Sequence, residues 1–152
     1  PIPEGERSSM VAAYHKRLTS DNELERMAAA KAWSIWEGST ATLIKNSAVI
    51  DYFSNPHIAL SIARIECHFF TNNSFFEENQ LLENAYKLKD IPGFIVHGRY
   101  DVICPIDQAF ALHEKWPDSQ LKIIADAGHA VSEEGIIKAL VESTNTMLRL
   151  IE

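Results

Sequence analysis

The chain is poor in the features that mark a metal centre, a membrane anchor or a nucleic-acid surface. Its 152 residues include two cysteines, Cys67 and Cys104. Neither sits in a CxxC or a Cys/His cluster, which argues against structural zinc. Free thiols in a reducing compartment are the expectation, with the cytoplasm as the location. No apolar run approaches the roughly 20 residues of a membrane span. Fourteen basic residues stand against 21 acidic ones, for a net charge of −7, and the basic residues are scattered. Neither nucleic acid nor an anionic membrane is therefore an expected partner. Repeats and low-complexity stretches are missing. So is any G-x-S-x-G, the strand-to-helix elbow that presents a nucleophilic serine; Ser39 follows Gly38 but falls at an expected helix end. The opening PIPEGERSSM has no signal-peptide core and no initiator Met, and reads as internal to a longer chain. The remaining composition, 46% hydrophobic and 23% charged, is ordinary for a globular protein with one sizeable core.

Two segments carry most of the information: IPGFIVHGRYDVICP (Ile91 to Pro105) and LKIIADAGHAVSEEG (Leu121 to Gly135). Each is a short apolar run that stops at a loop holding one chemically capable group, Asp101 in the first and His129 in the second. Gly93 to His97 predicts a buried strand, bounded by Pro92 and Gly98. Pro105 to Trp116 predicts a helix, with Pro105 in the first position and Ile106, Ala109, Phe110 and Leu112 on one face. Leu121 to Ile124 predicts the next strand. Strand, helix, strand makes a crossover between parallel strands. Asp101 and His129 then follow the C-terminal ends of neighbouring strands, where open α/β sheets place their ligands. An acid and a histidine on one sheet edge are two members of a nucleophilic triad. Triad order in α/β-hydrolases is nucleophile, acid, histidine, so a chain holding only the last two has the pattern of a C-terminal piece.

The first 90 residues read as helical and the last 60 as α/β. Met10 to Arg17 predicts a short helix. Ser20 to Glu23 fits a capping box, with Ser20 as N-cap and Glu23 reaching back; the helix that follows is expected to stop at Gly38. Asn55-Pro56 starts another helix, running to about Thr71. Gln80 to Lys87 and Glu134 to Leu150 predict two more. Two parallel strands normally belong to a larger sheet. An unpaired strand edge is therefore expected, favouring either a fragment or self-association through that edge.

Two glutamates occupy apolar stripes. Glu37 continues the row Met27, Ala30, Trp33, and Glu66 falls between Ile62 and Phe70. A buried carboxylate needs a partner or a proton. With Trp33, Trp36, Phe69 and Phe70 nearby, the two would form an apolar pocket that is negative at one end, suited to an organic cation such as a substrate amine. The alternative is neutralisation by Arg64 or another base, or a solvated helix edge. His15, His57, His68 and His113 have no acid or nucleophile at a meaningful spacing, and His97 is expected to pack or support a loop. Asp107, in a first helical turn, and Asp126, in the histidine's own loop, are rivals to Asp101. Cys104 reads as a small packed residue, with a thiol lining the site as the alternative.

Over nearly its whole length, through AAAKAWSIWEGST, ARIECHFF, IPGFIVHGRYDVICP and DAGHAVSEEGI, the chain resembles the proline iminopeptidases, serine peptidases of the α/β-hydrolase fold. The resemblance implies an α/β fold made of a helical cap segment (1–89) and the C-terminal part of the hydrolase core (90–152), with the last two parallel strands and their helices. It implies release of N-terminal proline from peptides, with Asp101 and His129 as triad members. Glu37 and Glu66 would hold the substrate's imino group, and Phe70 would form part of the proline pocket. No metal or cofactor is implied. The family's serine elbow, its oxyanion loop and most of its sheet have no counterpart here, so this chain alone is expected to be inactive. An esterase, epoxide hydrolase or dehalogenase relative, or a non-catalytic ligand-binding fragment, are the competing readings.

Overall fold

A computed structural model describes residues 2–151. The chain divides into two compact units, Pro1–Ser39 with Asn46–Glu77, and Thr40–Lys45 with Glu78–Glu152.

The first unit is helical. Helix α1 (Met10–Leu18), α2 (Glu23–Thr40), α3 (Ser47–Phe53) and α4 (Pro56–Thr71) form it. Small residues let the helices approach. Ala29, Ala30, Ala59, Ala63 and Cys67 surround the fully buried Leu18 and the Trp33 indole. The Tyr14 ring packs edge-on to Trp33, with centroids 5.2 Å apart. Asn55 caps α4 by accepting the His57 N–H at 3.1 Å, with Pro56 in the first turn, as its sequence requires.

Several details differ from the sequence expectations. Asn22, not Ser20, caps α2: its Oδ1 accepts the N–H groups of Leu24 and Glu25 at 3.1 and 3.3 Å. Ser20 instead accepts the Asn22 N–H in a tight turn. Helix α2 also continues through Gly38 to Thr40. Gly38 is there for close packing: a Cβ at that position would lie 2.9 Å from Phe53 Cβ. Gln80 to Lys87 is also not one helix. A single turn, α5 (Gln80–Glu83), gives way at Asn84 to a 3₁₀ turn, Ala85–Leu88. Helix α3 had no counterpart in the sequence reading; Asn46 caps it through the Ala48 and Val49 N–H groups.

The second unit is a parallel βαβ. Strand β1 (Gly93–Gly98) pairs with β2 (Ser119–Ile124) in the register Gly93 to Ser119 through Gly98 to Ile124, with α6 (Ile106–Lys115) between them in sequence. Helix α7 (Glu134–Ile151) packs on both strands. Pro105 lies one residue before α6, as its N-cap. Most side chains of β1 and β2 are half-buried rather than buried, because the described sheet has two strands. Helix α7 buries Ile136, Ala139 and Ser143 and exposes Ile137, Val141 and Leu148. Among the described residues no helix is long and apolar enough to cross a membrane.

Candidate active site

Residues 99–105 turn away from the end of β1, and backbone bonds fix the turn. The Arg99 N–H donates to Ile124 O and the Tyr100 N–H to Ala127 O, both at 2.9 Å. Asp101 folds its carboxylate back over the turn. Its Oδ1 accepts the N–H groups of Ile103 at 2.9 Å and Cys104 at 2.8 Å, an Asx arrangement that sets the side-chain rotamer. Its Oδ2 then faces His129 and accepts the Nδ1–H at 2.9 Å.

A carboxylate can only accept, so this contact places the His129 proton on Nδ1 and leaves the Nε2 lone pair free. The Asp101 side chain is 6% exposed and that of His129 39%, so the acid is sheltered while the imidazole stays accessible. Burial is the strongest single influence on Asp101 and pushes its pKa up. The Cys104 N–H, the His129 ring and the Ile103 N–H together outweigh it, holding the carboxyl below its usual value. A second imidazole stands nearby. His97 Nε2 is 3.7 Å from the same Oδ2, and its Nδ1–H donates to Gly98 O at 2.8 Å.

The rival acids play other parts. Asp107 accepts the Gln108 N–H in the first turn of α6, and Asp126 is exposed. His113 donates to Ser119 Oγ at 2.7 Å, since that hydroxyl is itself committed to Trp116 O. Sequence reasoning missed the support beneath His129. The Ala41 carbonyl accepts the N–H groups of both His129, at 2.9 Å, and Ala130, at 2.7 Å. Glu133 accepts the Gly128 N–H at 2.6 Å and the Leu43 N–H at 3.1 Å. Backbone contacts of this kind have no side-chain signature, although a glutamate four residues after the histidine was visible.

The other expected site residues belong to the first unit. Glu37 on α2 is 8% exposed. Glu66 on α4 is half-buried, and its Oε2 accepts the Trp33 indole N–H at 2.6 Å. The Trp33 ring also meets Phe70, with centroids 6.4 Å apart; Phe70 itself is 52% exposed. Cys67, fully buried beside these groups, has its thiol pKa pushed up to about 12, mainly by burial and further by the charges of Glu66 and Glu37. Both carboxylates therefore project negative potential onto one point of the core. A cleft of about 530 Å³ opens beside Trp33 and Trp36, lined also by Met10, Val11, Tyr14 and Ala32. It uses two of the expected aromatics, but its walls are apolar and do not include the glutamates. Among the described residues no group of three or more His, Cys, Asp or Glu side chains is placed to hold a metal ion.

No protein-family profile matches the chain. Individual proteins do. It is 51% identical over 148 residues to a proline iminopeptidase of Xylella fastidiosa, covering 97% of this chain and 47% of that protein. It is 46% identical over 152 residues to one of Arabidopsis thaliana, covering 99% and 40%. It is 33% identical over 149 residues to one of Neisseria meningitidis, covering 97% and 46%. The chain thus spans about half the length of the curated relatives it matches.

Proposed function

Because this chain is a sequence relative of the proline iminopeptidases over nearly its whole length, we propose that it supplies the acid, the base and the substrate clamp of a serine aminopeptidase that removes N-terminal proline. The observation that carries the reading is the 2.9 Å bond from His129 Nδ1–H to Asp101 Oδ2, on a sheet edge of parallel topology. In this reading residues 1–89 form the helical cap and residues 90–152 the end of an α/β-hydrolase core. The nucleophilic serine comes from residues outside these 152.

The chemistry follows from the protonation states. Nε2 of His129 takes the serine proton as the hydroxyl attacks the carbonyl of an N-terminal proline residue. Asp101 keeps the ring in the required tautomer and stabilises the imidazolium that forms. Its lowered pKa suits this role, since a protonated Asp101 could do neither. His129 then returns the proton to the leaving amine as the C–N bond breaks. The same Nε2 next takes a proton from the water that cleaves the prolyl–serine ester, releasing proline and restoring the serine. Glu37 and Glu66 receive the protonated pyrrolidine nitrogen, and Phe70 closes on the ring. The Trp33 N–H holds one Glu66 oxygen while adding no positive charge, so that carboxylate stays attractive to a cation. No step calls for a metal or cofactor.

Hydrolysis of a proline arylamide tests the reading. The 152-residue chain alone should show no turnover. The same chain extended by its upstream coding sequence should hydrolyse the substrate, and Asp101→Asn should lower kcat by about 10³- to 10⁴-fold. An extended protein that cleaves simple esters but leaves prolyl arylamides intact, or one indifferent to Asp101→Asn, would overturn it.

A further inference from the structure

The loop that carries His129 is held by a second carboxylate, and we propose that Glu133 is a positioning residue for the His129 imidazole. Glu133 is anchored at both ends of its own backbone. Its N–H donates to Ala130 O at 3.1 Å, closing the turn after His129, and its carbonyl accepts the Ile137 N–H at 3.0 Å, opening α7. The side chain is therefore delivered from the rigid start of a helix. Its two oxygens then reach two different segments: Oε1 accepts from Gly128, the residue before His129, and Oε2 from Leu43.

Leu43 belongs to the short strap Thr40–Lys45, which packs with the second unit although α2 and α3, on either side of it in sequence, belong to the first. Ala41 of that strap accepts the His129 and Ala130 N–H groups through one carbonyl oxygen. Glu133 thus closes a ring of contacts. It fixes Gly128 on one side and the strap on the other, and so keeps the Ala41 carbonyl beneath His129. Three successive N–H groups, of Gly128, His129 and Ala130, are satisfied by this pair of acceptors. With that backbone tied at three successive N–H groups, the ring is presented to Asp101 with Nδ1 at 2.9 Å from its carboxylate. A carboxylate accepting backbone N–H bonds makes stronger contacts than a neutral acceptor would. The catalytic meaning of Glu133 rests on His129 acting as the base, as proposed above; its hold on the loop does not.

Amide hydrogen exchange and histidine-ring NMR on the 152-residue chain test this directly. In Glu133→Ala, exchange at Gly128 and Leu43 should accelerate about tenfold or more, and the His129 Nδ1–H resonance should broaden or vanish, while the β1–β2 ladder keeps its protection. In Glu133→Gln the side-chain oxygen can still accept one N–H, but the NH₂ cannot accept the other. Only one of the two amides should then accelerate, and this variant decides the matter if Glu133→Ala loses the ladder. Wild-type exchange at both amides, or an unchanged His129 Nδ1–H signal with the ladder intact, would refute the assignment. Failure of the peptidase reading shows up separately, whatever the exchange rates at Gly128: the upstream-extended protein would leave prolyl arylamides intact, or its His129→Gln variant would still hydrolyse them.

Discussion

Gly98 and Gly128 lie against each other so closely that a Cβ on Gly98 would sit 1.9 Å from the Gly128 carbonyl oxygen. One ends β1, three residues before Asp101; the other precedes His129. Neither has a positive φ, so what excludes a side chain is contact and not backbone torsion. The acid and the histidine meet because Gly98, without a Cβ, lets the backbone at Ala127 and Gly128 come against the end of β1. Gly98→Ala should therefore cost about 3 kcal/mol and also lengthen the Asp101–His129 hydrogen bond. Gly5→Ala, where a Cβ would meet nothing within 4 Å, should change stability by less than about 0.5 kcal/mol. Urea unfolding of the two variants makes the comparison, and equal midpoints would contradict it.

Asp101 gives a pH dependence with a definite sign. Its folded pKa lies below its usual value, so the ionised carboxylate stabilises the folded chain above about pH 4. That contribution is lost as pH falls through the lowered folded value. The Asp101 carboxyl should titrate by ¹³C NMR below the ordinary carboxyl range. Stability of Asp101→Asn should fall less steeply with acid than that of the wild type. Parallel acid profiles for the two proteins would rule out this linkage.

The strand–helix–strand unit was legible because three kinds of signal agreed over residues 91–124: a β-prone apolar run, an amphipathic helix and turn residues at the joins. Asp101 and His129 followed from that topology, since parallel strands put successive loops on one edge. Glu66 was visible because helical periodicity placed a charge in an apolar stripe, and Glu37 for the same reason. Gly38 shows where the reasoning fails. Glycine after a helical pattern looks like a stop, yet here it admits Phe53 against a continuing helix, and only tertiary packing distinguishes the two. Asn22 took the capping role from Ser20 because several adjacent residues could cap, and local preference does not rank them. The strap at residues 40–45 was illegible in principle, since it acts through a backbone carbonyl. The open, half-buried sheet is the structural counterpart of strands too apolar for a two-stranded ribbon.

The two cysteines should differ sharply in reactivity. Cys67 is buried, and burial pushes its thiol pKa up to about 12, so at pH 8 it carries very little of the thiolate that alkylating reagents need. Cys104 is exposed. Iodoacetamide at pH 8 should label one cysteine per native chain, Cys104, and both in denaturant. Rapid native labelling of Cys67, located by peptide mapping, would mean that the α2–α4 core opens far more readily than its packing implies.

Trp33 and Glu66 separate a structural contact from a binding role. Trp33→Phe keeps the ring against Tyr14 and Phe70 but removes the N–H that Glu66 accepts. It should destabilise the first unit by about 1–2 kcal/mol. Glu66→Gln keeps an oxygen for that N–H and should stay within about 1 kcal/mol of wild type. It removes the negative charge, however, so in the upstream-extended protein it should raise KM for a proline arylamide at least about tenfold. Substrates lacking the free imino group should be affected little. If Glu66→Gln instead lowers stability as much as Trp33→Phe while leaving KM unchanged, the carboxylate serves the helix packing and the cation must be held elsewhere.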